Sequence, residues 1–297
     1  MMPTNQTKKF KIGNFVFQVT YPDDICPPKN FLLFETRNED AVVDYSYCIE
    51  RKTSIEFQEI LESLKQTPVA VRDDLMVYRD SSLEMRLIRA RGREDYYALY
   101  DEQTEAQAII YLNEAMLNLL VLDTVFSSLF SLERRLLSKS GLVLHCAYLQ
   151  YGQNAILFSA PSGVGKSTQA SLWEKYKNGA VVNGDRALLL CQKDKWHAYG
   201  WPVCGSSEIC HNTSLQIRAI VMLSQGKKNE LSPLSSMQAF KELYSQITIN
   251  SWDKKAALDS MELLEHLIKK IPVYHLSCTI SKEAVDLLAD ELYPSMA

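Results

Sequence analysis

The stretch Ser159-Ala160-Pro161-Ser162-Gly163-Val164-Gly165-Lys166-Ser167-Thr168 decides the reading of this chain. It follows the apolar run Ala155-Ile156-Leu157-Phe158, which reads as a strand, and it opens a helical segment ending near Gly179. A glycine-rich turn in that setting, closing on Gly-Lys-Ser-Thr, has the form of a Walker A phosphate cradle. Gly163 and Gly165 let successive backbone N–H groups point inward at phosphate oxygens, and the helix start adds partial positive charge. Ser162, Val164 and Thr168 complete the cradle. Lys166 offers a point charge for the β- and γ-phosphates, and Ser167 offers a hydroxyl to Mg²⁺. Ala160 stands where the motif has its first glycine, and alanine fits there if φ stays negative. The expected ligand is a nucleoside triphosphate.

Working outward, a carboxylate at the end of a neighbouring strand should hold the metal directly or through water. Asp185 suits that role, in Asn183-Gly184-Asp185-Arg186 after the apolar Ala180-Val181-Val182, nineteen residues beyond Lys166. The plain alternative is an Asp in a tight Asn-Gly hairpin turn. His145 lies inside the apolar strand Leu142–Leu149, twenty-one residues before Lys166. A strand that pairs into the same sheet would carry it toward the phosphates, although an isolated histidine in such a strand is more often a core residue.

The surrounding grammar is α/β from Gly141 to the end, giving residues 141–297 as a P-loop domain with a mixed sheet flanked by helices. Residues 1–112 read as a strand-rich domain, α+β in combination with the second half. Phe10–Thr20 alternates, Phe31–Phe34 and Ala41–Cys48 are short strand runs, and Ser54–Leu64 is a helix. Leu83–Ala90, Tyr96–Tyr100 and Ala106–Leu112 form a meander with turns at Gly92 and at Asp101-Glu102. Between the halves, residues 113–140 read as one connecting helix with an apolar face from Met116 to Leu137.

Composition narrows the function. The chain has 297 residues, 46% hydrophobic and 23% charged, with 32 basic against 36 acidic side chains and a net charge of −4. That balance lacks the positive field a nucleic-acid binder needs, and no nucleic-acid or membrane partner is expected. The greasiest stretch, Ala115–Leu132, is interrupted by Asn118, Asp123 and Ser127-Ser128, which suits a buried helix rather than a membrane span. Seven cysteines without a CxxC pair read as reduced, buried thiols of a cytoplasmic protein.

Taken in order, Leu144-His145-Cys146-Ala147, Ser162–Thr168 and Asn183-Gly184-Asp185-Arg186 resemble the C-terminal catalytic domain of the HPr kinase/phosphorylase family. Gly200-Trp201-Pro202-Val203-Cys204-Gly205 and Val273-Tyr274-His275-Leu276 fit the same likeness, which covers about half the chain. It is nearer to the HPr-kinase-like proteins that act on peptides than to the bifunctional enzyme. The resemblance implies a fold related to ATP-dependent phosphoenolpyruvate carboxykinase, with ATP and Mg²⁺ at the loop and transfer to a serine hydroxyl. It gives Lys166 and Ser167 the phosphate and metal roles and sets His145 near the reacting phosphate. Asp185 matches the second of two adjacent acids, and Gly184 stands in the place of the first, the usual general base. Either Asp185 serves both roles, or another carboxylate such as Glu208 enters, or transfer is weak. The glycine-rich signature for HPr recognition is not evident.

The expectation is an ATP- and Mg²⁺-dependent kinase acting on a serine of a peptide or small protein, with His145, Lys166 and Asp185 as catalytic residues. The N-terminal domain is the candidate for recognising that acceptor, and a homo-oligomer is compatible with the sequence. A small-metabolite kinase and a non-catalytic ATP-binding scaffold are the alternatives.

Overall fold

The computed structural model describes residues 4–294 and divides into two compact units, one ending at Leu132 and one beginning at Glu133. The first unit holds strands β1 (Asn5–Ile12), β2 (Phe15–Pro22), β3 (Tyr45–Lys52), β4 (Ala70–Val71), β5 (Leu75–Asp80), β6 (Leu83–Arg89), β7 (Tyr96–Thr104) and β8 (Gln107–Asn113). They make one mixed sheet in the order β1-β2-β3-β8-β7-β6-β5-β4. Helix α1 is Lys29–Leu32, α2 is Ser54–Ser63 and α3 is Asp123–Ser128. Helix α2 packs Phe57 against Tyr78, Leu87 and Leu99 on one face. An aromatic cluster of Phe10, Phe17, Phe31, Tyr47, Phe126 and Phe130 fills another part of this core.

Three expectations for this half change. Phe31–Phe34 is not a strand but part of α1 and the turn after it, because Pro28 opens a helical turn that buries Phe31 and Phe34 three residues apart. The turn expected at Asp101-Glu102 is strand interior: Glu102 is buried, accepting from the Tyr100 hydroxyl and the Glu84 N–H. The single helix expected over residues 113–140 is broken into a 3₁₀ turn (Glu114–Val121), α3 and α4 (Leu132–Ser138). Extended backbone at Leu122 and left-handed backbone at Ser131 (φ 50°) separate the pieces, while Phe126, Leu129, Phe130 and Leu136 stay buried. Among the described residues no helix is long and apolar enough to cross a membrane. All seven cysteines are free, but only Cys146, Cys204 and Cys210 are buried and Cys26 is exposed, so the expectation of buried thiols holds for three.

The second unit contains β9 (Gly141–Tyr151), β10 (Asn154–Ser159), α5 (Lys166–Lys177), β11 (Ala180–Asn183), β12 (Arg186–Gln192), β13 (Lys195–Tyr199) and β14 (Ser214–Gln225). Then come β15 (Glu230–Pro233), α6 (Ser236–Tyr244), α7 (Lys254–Lys270), β16 (Val273–Cys278) and α8 (Lys282–Leu292). The strands form a mixed sheet in which β9, β12, β13, β14 and β10 pair in a closed circuit. Alternation along β9 sorts its side chains onto two faces. Leu142, Leu144, Cys146 and Tyr148 pack under α6 and α7, whereas Ala147 and Leu149 pack under α5 and α8. His145 shares the second parity, and therefore the face of α5.

Candidate functional site

The loop from Ser159 to Lys166 leaves the end of β10 and turns directly into α5. Gly163 and Gly165 adopt φ of 81° and 121°, values that L side chains avoid, which is why the turn needs glycine at both. Ala160 is buried and is not among the residues with positive φ, so alanine costs nothing at that position. Gly165 caps α5 without a side-chain hydrogen bond, so the first N–H groups of a twelve-residue helix carry no side-chain cap. Ser162, Gly163, Ser167 and Thr168 are exposed and Val164 is half-buried. Lys166 is buried, and its amine donates to the Ala160 carbonyl at 3.0 Å and the Pro161 carbonyl at 3.4 Å. Burial pushes the amine's pKa down, and the nearby charge of Asp185 works against that shift.

Asp185 is not in a hairpin turn. Strands β11 and β12 both run antiparallel to β9, Val181 facing Leu149, Asn183 facing Tyr148 and Arg186 facing His145. They are one strand interrupted by a bulged segment, residues 182–185, whose register shift lies at Val182 and whose bend is Gly184-Asp185. The Cys146 N–H donates to the Asp185 carbonyl at 3.0 Å and keeps the bulge on β9. Its carboxylate lies 3.5 Å from His145 Nε2 and accepts from Arg186 Nε at 3.1 Å. Burial raises this carboxyl's pKa, but the His145 interaction and the Arg186 guanidinium outweigh it and hold the group below its ordinary value. The His145 and Asp185 side chains remain 31% and 26% exposed, so both can be reached from solvent. The backbone of His145 is fixed on two sides, by its N–H to the Gln246 carbonyl at 2.9 Å and by the Ser159 hydroxyl donating to its carbonyl at 2.8 Å.

The sequence-expected residues thus divide into two groups that the sheet brings together: Ser162 to Thr168 at the end of β10, and His145 with Asp185 beside it. Glu208 is exposed with left-handed backbone (φ 55°) after a short 3₁₀ turn at Gly205–Ser207. Gly184 has no room for a side chain: a Cβ there would lie 2.2 Å from Ser207 Oγ. The space a side chain at Gly184 would need is therefore filled by this loop.

Other members were not legible as such. Thr248 accepts from the Arg186 guanidinium at 3.3 Å, and Gln225, at the end of β14, donates weakly to the Gly163 and Val164 carbonyls. Both come from distant chain segments and carry no motif.

The donor set suits a magnesium nucleotide. Asp185 and Ser167 offer the hard oxygens that Mg²⁺ takes, with phosphate oxygens expected to supply more. Among the described residues there is no cluster of three or more His, Cys, Asp or Glu side chains that could hold a metal without such help.

Comparison with solved structures finds similarity to the HPr(Ser) kinase/phosphatase from Coxiella burnetii, at 13% identity and a TM-score of 0.28, covering 50% of this chain and 92% of that one. No curated protein matches. The family described as "ScmC: SynChlorMet cassette protein ScmC" matches residues 110–286, from within β8 into α8. With more than half its length matched, the chain belongs to the ScmC family of SynChlorMet cassette proteins.

Proposed function

We propose that this protein is an ATP- and Mg²⁺-dependent kinase whose acceptor is a hydroxyl, most simply a serine of a peptide or small protein. One observation carries the reading: an uncapped helix start with its buried lysine and a carboxylate–histidine–arginine group converge on one end of one sheet. Phosphoryl transfer needs little else, because its catalysis is mainly positioning and charge neutralisation. The backbone N–H groups of Ser162 to Thr168 would hold the phosphates, with Lys166 turning from its two carbonyls to them. Ser167 and Asp185 would hold Mg²⁺, which neutralises charge on the phosphate oxygens. His145, 3.5 Å from Asp185, is the group suited to receive the acceptor's proton, and Asp185 would stabilise the imidazolium that results. Arg186 adds a fixed positive charge on the same bulge.

A nucleotide-binding regulator without transfer is the second reading, favoured by the absence of any side-chain space at Gly184. The two separate on incubation with γ-labelled ATP, Mg²⁺ and cell lysate, followed by fractionation into peptides and small molecules. Label in the peptide fraction supports the proposal, and label among small molecules supports a metabolite kinase. Nucleotide binding with label in neither supports the regulator.

A further inference from the structure

The bulge that carries Asp185 is organised by one buried amide. Asn183, at the end of β11, is fully buried. Its Oδ1 accepts the N–H groups of Asp185 and Arg186, both at 2.9 Å. Its Nδ2 donates to the carbonyls of Trp201 at 2.8 Å and Val203 at 3.0 Å. Two donors and two lone pairs are the whole capacity of an asparagine side chain, so every valence of this amide is used. The two halves have different effects. The Oδ1 bonds shape the bend at Gly184-Asp185, where the Asp185 carbonyl still accepts the Cys146 N–H of β9. The Nδ2 bonds fix residues 201–203 against the same bulge, where a Cβ added at Gly205 would lie 3.3 Å from the Asp185 carboxyl and one added at Gly184 would strike Ser207.

We propose that Asn183 is the positioning residue of this site: its amide aims Asp185 at the nucleotide-bound metal and fastens the Trp201–Glu208 loop to the same bulge. The proposal rests on the reading of the site as a magnesium-nucleotide site. Alanine at this position removes the acceptor of two part-buried N–H groups and a donor from each of two buried carbonyls, of which Trp201 keeps the Cys210 thiol. Aspartate keeps the acceptor for Asp185 and Arg186 but turns an oxygen toward the Trp201 and Val203 carbonyls, which releases the loop alone.

The test uses the full chain and its Asn183→Ala, Asn183→Asp, Asp185→Asn and Asn183→Ala/Asp185→Asn variants. Calorimetry reads ATP affinity with and without Mg²⁺, and residue-resolved amide exchange is followed without ligand. In Asn183→Ala the Asp185 and Arg186 amides should exchange faster and the affinity gained on adding Mg²⁺ should fall about tenfold, the scale of lost outer-shell support. Metal-free ATP affinity, set by the loop and Lys166, should stay as in the parent. On the Asp185→Asn background the alanine should cost no further Mg²⁺-dependent affinity. Asn183→Asp should speed exchange at Trp201, Val203 and Cys204 while sparing the Asp185 and Arg186 amides, and it carries the test if the alanine variant does not fold. An undiminished Mg²⁺ gain in Asn183→Ala, an equal further loss on the Asp185→Asn background, or Asp185 and Arg186 amides that exchange faster in Asn183→Asp would overturn the positioning role and leave Asn183 as a fold residue. A parent protein that gains nothing from Mg²⁺ would sink the functional reading, and the exchange pattern would still decide whether Asn183 holds the bulge and the loop.

Discussion

Lys166 donates its amine to two loop carbonyls, which holds the charge at the turn where phosphate is expected. Its removal should cost nucleotide affinity far more than stability. Lys166→Ala is expected to lose measurable ATP binding in calorimetry and to melt within a few degrees of the parent; unchanged affinity would remove the cradle assignment. His145 is the sharper case, because a histidine in an apolar strand is usually core. Its side chain is 31% exposed on a strand whose neighbours are buried, so replacement opens no cavity. His145→Gln should therefore leave the melting temperature nearly unchanged and lower transfer at least about tenfold at saturating ATP, since acid–base help is typically worth more than that. Full turnover with a lowered melting temperature would return His145 to the core.

At the scale of elements, the bulge between β11 and β12 and the loop after Trp201 are complementary shapes. A Cβ at Gly184 would meet Ser207 Oγ at 2.2 Å and Ser207 Cβ at 2.4 Å. Gly184→Ala should destabilise by about 1–3 kcal/mol as an overpacked contact. Ser207→Gly in the same chain should recover part of that loss, a coupling that denaturant titration of the four proteins would measure. Additive losses would mean that the two do not press on each other. The elements themselves were unevenly legible. Strand β10, the turn and α5 were readable because their signals are local: an apolar run, two glycines and a helical period. So were β11 and α7. The bulge was not, because Asn183-Gly184-Asp185 reads as a hairpin until β9 is known to pair with both β11 and β12. Residues 113–140 failed for the opposite reason. Their apolar spacing is helical throughout, but the breaks at Leu122 and Ser131 leave no glycine or proline as a signal.

For the whole molecule, the same carboxylate links the site to stability. Folding lowers the pKa of Asp185 below its ordinary value of 3.8. Its contribution is therefore complete above that value and is lost as pH falls through the lowered folded value. Asp185→Asn should flatten the decline in unfolding free energy between about pH 4 and pH 2 relative to the parent. Denaturant curves across that range would check it, and parallel declines would show that the carboxylate titrates alike in both states. The two-unit architecture also sets what sequence could say of function. The second unit carries the motif residues, whereas the first carries aromatic packing and a buried Glu84–Arg86 pair that match no chemistry by spacing.

Strand β9 has chain on both sides along the site: β12 on one, and β10 followed by residues 246–248 on the other. The bridge between Leu144 and Ile247 joins parts of the chain that are synthesised far apart in time, and such closures are slow. His145 takes its backbone partner from that late segment. A nascent or refolding chain could complete the glycine turn early, yet it would have no finished place for the proton until Gln246 arrives. Competence should then appear in the slowest refolding phase, after most of the helical signal has returned in stopped-flow measurements. Transfer that recovers with the first phase would contradict this order. On that order, the proposed transfer would be withheld from a half-made molecule by the way its sheet must close.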